Sequence, residues 1–204
     1  MTSLTAETSR NQIRDAAVQL LNRSGVGAVT VASLCAEAHI TESAFATEFG
    51  SVDAVFGAIV RDLIEAHSTQ IAATVSRRRS LTETIQLAMV ASFAVVESRI
   101  DEHRAGLMIT VSHLVDSGHG PSGSSVYEAY VRAAEAYLLE IQRIHSITWE
   151  LSTRLLAKLF VATLIGLTVD YLFTRDAAGS RHMLDVSAYQ LAQHGRRTSK
   201  NQAY

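Results

Sequence analysis

Residues 37–50, EAHITESAFATEFG, carry the side chains whose types and spacing best suit recognition chemistry. Thr41 stands before a short apolar-periodic segment, where its hydroxyl can cap a helix running from Glu42 to about Glu48. Such a helix presents free N–H groups and the side chains of Glu42, Ser43, Ala44 and Thr47 on its first turns. Glutamate accepts a hydrogen bond from cytosine N4, alanine touches a thymine methyl, and hydroxyls reach phosphate or base edges. Thr30 occupies the same position before the preceding segment, Val31 to Ala38. Residues 39–41 form the turn between them. Helix, tight turn and short helix are the layout that puts a second helix into a DNA groove. Arg10 and Arg14 fall near the start of the first helix, where they could meet phosphate or lie as solvated surface. The two threonines are helix caps in any case, and capping is compatible with phosphate contact.

Charge works against this reading. The second helix holds Glu42 and Glu48 and no Lys or Arg. Residues 1–60 contain three basic residues, Arg10, Arg14 and Arg23, against six acidic ones, a net charge of −3. Most DNA-binding affinity comes from Lys and Arg on phosphates, so this head relies on local geometry.

The elements that position these residues read as helices almost throughout. The 204 residues include one proline and eleven glycines, with 48% hydrophobic and 19% charged residues, which excludes a disordered chain. Ile13, Ala16, Ala17, Leu20 and Leu21 make one apolar stripe on a first helix, Thr8 to Ser24. Gly25 follows it as a C-cap. Val31, Leu34, Cys35, Ala38, Ile40, Phe45 and Phe49 supply a small core. A fourth helix runs from Ser51 to near Arg77-Arg78-Arg79. Ser80 and Glu83 form a capping box for a fifth, and Asp101 caps a sixth reaching Val115. Residues 116–124, DSGHGPSGS, read as a loop. A seventh helix follows, then an eighth from about Thr148 to Thr174. The AAGS at 177–180 reads as a turn before a ninth helix, and the tail from Gly195 frays. No sheet is expected. Arg77-Arg78-Arg79 reads as a solvated helix terminus.

Leu159 to Val169, LFVATLIGLTV, is apolar nearly all round. Such a helix buries two faces, either in a monomer core or against a second copy, where Gly166 permits close approach. The run Leu155 to Phe173 could cross a bilayer by length, but Lys158 and Asp170 interrupt it, favouring a buried helix and no membrane. No leader segment is visible, and the chain reads as cytoplasmic.

Other chemistry is sparse. The lone Cys35 excludes an internal disulfide and reads as a small buried residue. His103 and His113 lie ten apart with no carboxylate to complete a metal site. No Ser-His-Asp set or phosphate-cradling glycine loop is present. The expectation is no enzyme, no catalytic residue, no metal and no cofactor.

The order Ile13, Ala16-Ala17, Leu20-Leu21, Gly25, Thr30-Val31, Leu34-Cys35, Ala38-His39-Ile40-Thr41, Phe45 and Phe49-Gly50-Ser51 resembles the DNA-binding domain of TetR-type transcriptional regulators. Gly166-Leu167 and Asp170-Tyr171-Leu172 resemble the family more loosely. The resemblance implies an all-α protein of about nine helices. Residues 1–50 would be a three-helix head with the helix-turn-helix, and residues 51–204 a helical effector-binding and dimerisation body. It implies a homodimer on operator DNA, most simply a repressor released by a small apolar effector. The effector would lie among Met89, Phe93, Leu107, Met108, His113, Tyr127, Tyr130, Trp149 and Phe160, residues that serve equally as ordinary core. The dimer would form through the eighth and ninth helices, at Leu164, Leu167, Tyr171, Met183, Val186 and Tyr189. The chain departs from the family at His39, where glycine is usual, at Ala46, where tyrosine is usual, and at Thr47, Glu48 and Val52. A ligand-binding or interaction protein of the same fold, whose head has lost DNA binding or needs a partner for it, is the alternative.

Overall fold

The computed structural model describes residues 2–116 and 121–197. Among them are nine α-helices: α1 (Thr2–Ser24), α2 (Val31–Ala38), α3 (Glu42–Glu48), α4 (Val52–Ala72), α5 (Leu81–Ser98), α6 (Ile100–Asp116), α7 (Pro121–His145), α8 (Thr153–Thr174) and α9 (Ala177–Ala192). Two short strands, β1 (Ile147–Trp149) and β2 (Gly195–Arg197), pair antiparallel, with Thr148 opposite Arg196. The fold is all-α as expected, but the pair corrects the expectation of no sheet. It also corrects two boundaries. Residues 148–152 are not the start of the eighth helix, and part of the tail is held in place.

The chain forms two compact units, one of residues 1–63 and 99–127, the other of residues 64–98 and 128–204. In the first, Ile13, Ala17, Leu21, Leu34, Phe45, Val55 and Leu63 are buried together with Ala105 and Ile109 of α6. Deleting one such side chain typically costs about 2–5 kcal/mol. Asn22 on α1 donates to the Asp101 carbonyl at 2.9 Å, tying α1 to α6. In the second unit α5 packs on α9 and α8. Its core includes Ile85, Met89, Phe93, Leu138, Ile141, Leu156, Phe160 and Leu184.

Local chemistry explains the other boundaries. The Thr74 amide and hydroxyl both donate to the Ile71 carbonyl, at 2.9 and 2.7 Å. That closes the last turn of α4 before the arginine run. Asp101 lies inside the first turn of α6 rather than capping it, where its charge suits the helix dipole. Pro121 opens α7, so residues 121–124 are helical; proline is favoured at a first helical position because its missing N–H would have no partner there. Residues 117–120 of the expected loop lie outside the described residues. The AAGS stretch is the first turn of α9, capped by Asp176, whose Oδ1 accepts from the Gly179 amide at 2.9 Å. The capping box at Ser80 and Glu83 forms as read, with amide-to-oxygen distances of 2.7 and 3.2 Å.

Candidate nucleic-acid interface

Thr30 caps α2 by accepting from the Ser33 amide at 3.1 Å, and the Ser33 hydroxyl accepts from the Thr30 amide at 2.8 Å. Serine thus plays the part that Glu or Gln plays in the usual capping box. α2 ends at His39, whose φ of 53° and ψ of 43° are left-handed. The turn needs that conformation to redirect the chain, and His adopts it at a cost that glycine escapes. Thr41 then caps α3, accepting from the Ala44 amide at 3.2 Å, and its hydroxyl lies 3.0 Å from that of Ser43. Phe45 is 2% exposed and anchors α3 to the core. Glu42, Ser43 and Thr47 are exposed, and Ala44 is half-buried. The Thr47 hydroxyl donates back to the Ser43 carbonyl at 2.9 Å.

The arginines expected at phosphate are engaged within the head. The Arg10 guanidinium stacks 4.2 Å from the Phe49 ring centroid and donates to the Glu48 carbonyl. Arg14 pairs with Asp62 at 2.7 Å and donates to Asn11 Oδ1 at 3.1 Å. Arg23 makes a forked pair with Glu37, at 2.7 and 3.4 Å. That pair holds the Glu37 carboxyl below its ordinary value, chiefly through the hydrogen bond from Arg23. All three bases of residues 1–60 therefore brace α1 against α2, α3 or α4. Burial pushes the Cys35 thiol up, keeping it protonated at neutral pH.

The residues expected in an effector pocket divide between the units. In the second, Met89, Phe93 and Phe160 are buried core, and Phe93 meets Tyr171 edge-on at 5.1 Å. Trp149 Nε1 donates to the Leu138 carbonyl at 3.2 Å. Tyr130, half-buried, has its hydroxyl pushed up to about 12 by desolvation. In the first, Leu107, Met108 and Tyr127 are half-buried, and the His113 side chain lies outside the described set.

The residues expected at a dimer face also divide. Leu167 is 2% exposed, so it belongs to the core of its own unit, and Tyr171 packs on Phe93. Leu164 is half-buried. Met183, Val186 and Tyr189 of α9 are 46–60% exposed. Leu155, Leu159 and Phe173 of α8, not singled out from sequence, are exposed as well, Phe173 at 86%. Spacings of four and three link Leu155, Leu159, Ala162 and the exposed Gly166 into one stripe. α8 is long and apolar enough to cross a membrane, with a mean hydropathy of 1.8, yet only a third of its apolar window is buried within the chain.

Residues 13–59 match the family model for bacterial regulatory proteins of the tetR family. No curated protein matches the chain. Among solved structures it is similar to Salmonella enterica GusR, 16% identical over 91% of this chain and 96% of that one, with a TM-score of 0.74. It is also similar to FadR of Bacillus halodurans, described as a fatty acid degradation regulator, 15% identical over 90% and 94%, with a TM-score of 0.70. A structure of SmeT bound to triclosan matches at 15% identity over 94% and 93%, with a TM-score of 0.70. At these identities the shared property is the fold. Residues 13–59 thus match the tetR-family model, and the chain shares the all-helical fold of these solved structures.

Proposed function

We propose that the protein is a cytoplasmic homodimeric regulator that binds operator DNA through α2 and α3, represses transcription, and releases its site when a small apolar molecule binds the body. The observation that carries this is the capped α3: Thr41 holds its first turn, Phe45 anchors it, and Glu42 and Ser43 are exposed at its start. Glu42 accepts from cytosine N4, and its charge repels sites lacking that donor. The exposed stripes of α8 and α9 support the dimer. Leu155, Leu159, Phe173, Met183, Val186 and Tyr189 form an apolar surface that a second copy would cover. Two heads would then engage half-sites about one helical turn apart, or a multiple of that. The triclosan complex of SmeT supports an apolar effector, and the aromatic and Met side chains of the body suit one. The reading includes no catalytic step.

Selection of bound duplexes from a random pool, followed by titration across salt, tests it. The expected result is a two-fold symmetric site to which the acidic heads themselves contribute only a shallow salt slope. Glu48→Lys should tighten binding to all duplexes and steepen that slope. Glu42→Ala should cost about 1–3 kcal/mol on the selected site and relax its sequence. Failure to enrich any sequence at low salt would remove the regulator reading. The internal engagement of Arg10, Arg14 and Arg23 favours the second reading, a protein of this fold with a head that no longer binds DNA or does so only with a partner.

A further inference from the structure

We propose that Arg77, Arg78, Arg79, Arg196 and Arg197 form a second phosphate-binding surface, fitted to the backbone of duplex nucleic acid and carried by the second unit. In the sequence these are a helix-end run and a tail. The structure joins them. The turn after α4 is folded on itself: the Arg78 amide donates to Ser76 Oγ at 3.3 Å and Arg79 Nη1 to the Thr74 carbonyl at 2.9 Å. Two residues later, Leu81 opens α5 and meets Gly195 of β2. A Cβ at Gly195 would lie 2.4 Å from Leu81 Cδ2 and 3.1 Å from Ile147 Cδ1, so β2 lies against these two side chains and a larger residue would have to push their ends aside. Pairing with β1 orders Arg196 and Arg197 directly after Gly195, and Gly195 meets Leu81 two residues past Arg79, so the two arginine segments flank one contact.

All five guanidinium side chains are exposed. Two carboxylates stand near them. Glu150 takes Arg196 and also faces His194 at 4.0 Å. Glu83 accepts from the Ser80 amide and feels the charge of Arg79. Five charges against two leave +3 in one small area. Arg77, Arg78 and Arg197 have no acidic partner among the described residues. The same asymmetry holds at larger scale. The first unit has six basic and ten acidic residues, a net −4, and the second has twelve and ten, a net +2.

The residue type selects the ligand. All five are arginine, whose planar fork makes paired hydrogen bonds to phosphate oxygens. Of the surrounding side chains, Thr74, Ser76 and Ser80 are hydroxyls, and the apolar Val75 and Leu81 are half-buried rather than the exposed wedge that a bilayer surface requires. The nearby Trp149 ring is half-buried and tied to Leu138, so no aromatic platform is open for unpaired bases. The surface contacts phosphates without reading bases, and it supplies the general attraction that the acidic first unit lacks.

The test uses the full chain and a labelled duplex of scrambled sequence, titrated by fluorescence anisotropy at low salt and upward. The triple substitution Arg77→Ser, Arg78→Ser, Arg197→Ser should weaken binding at least tenfold. It should flatten the slope of log affinity against log salt by about 3 per protomer, one released counterion for each lost contact. Lysine at the same three positions should keep the slope, and thermal melting checks that both variants fold. The specific site selected through α3 should keep its sequence in the triple variant, which separates this surface from the head. Unchanged affinity and slope in the triple serine variant would overturn the proposal. So would binding to phosphatidylserine-containing vesicles that is lost in that variant while duplex binding is not.

Discussion

The Arg10 guanidinium lies over the Phe49 ring, its carbon 4.2 Å from the ring centroid, and it donates to the Glu48 carbonyl. Two features of α3 depend on this one side chain: the orphan carbonyl at its C-terminal end and the position of the ring that follows it. Arg10 therefore orients α3 from α1. It does so as a cation at a helix C-terminus, where the dipole favours positive charge.

Arg10→Ala should lower stability by about 1 kcal/mol, the sum of a modest exposed cation–π contact and one charged hydrogen bond discounted for solvent. Arg10→Lys should recover only part, since an ammonium lacks the planar face. Urea unfolding measures both. If α3 is the reading element, Arg10→Ala should also weaken specific binding more than its surface position suggests.

His39 sits at φ 53° in the turn between α2 and α3. The left-handed conformation costs an L-residue roughly 1–2 kcal/mol, with short polar side chains at the low end. His39→Gly should therefore be neutral to stabilising by up to about 1 kcal/mol, offset in part by the greater entropy of unfolded glycine. His39→Val should destabilise clearly, because a β-branched side chain resists this region. A rise in the urea midpoint for Gly and a fall for Val is the expected pattern.

The helix-turn-helix was legible because its signals are local: Thr30 and Thr41 as caps, Leu34 and Phe45 at core spacing, and a residue tolerant of positive φ between them. The pairing of β1 and β2 was not, because it joins residues nearly fifty positions apart and rests on the close approach of Gly195 to Leu81. Its local sequence, Ile147-Thr148-Trp149, is too short to distinguish from the start of an apolar helix. The contact of Arg10 with Phe49 was not legible, because the ring comes near only once α3 has docked. For α8 the difficulty was different. A helix apolar on all sides has no periodic signal to say which leucine faces inward, so Leu167 and Leu159 were indistinguishable until α5 and α9 covered one side.

That distinction gives a paired prediction on α8 and α9. Leu159→Glu or Val186→Glu should yield folded monomers, because both side chains are 46% exposed and a charge there is lost only from an interface. Leu167→Glu should instead remove folded protein, because it buries an unpaired carboxylate in the core of its own unit. Sedimentation and circular dichroism on the three variants separate the cases. Folded dimers from Leu159→Glu and Val186→Glu together would show that this face is not the dimer contact.

His103 and His145 contribute to the response to acid. His103 is 7% exposed on α6, and its Nδ1 lies 2.8 Å from the Arg99 carbonyl. A carbonyl only accepts, so Nδ1 carries the proton. Burial lowers the His103 pKa below 6.5, and the nearby Arg99 charge adds to this, while the Arg99 carbonyl and Glu102 oppose it. His145 is lowered the same way, by burial, and its Nε2 lies 3.1 Å from the Thr84 hydroxyl. A histidine whose folded pKa is depressed binds fewer protons folded than unfolded once the pH drops below 6.5. The stability linked to these two residues is complete above that pH and is lost as the pH falls through their folded values. The lowered carboxyls of Glu37, Glu83 and Glu140 act only below their ordinary value of 4.5, in a separate window. Melting temperature should therefore decline between pH 6.5 and 4.5, before the carboxylates contribute. The double variant His103→Gln, His145→Gln should start less stable at pH 7 and decline less over that interval. An identical slope in the double variant would assign the acid response to other groups.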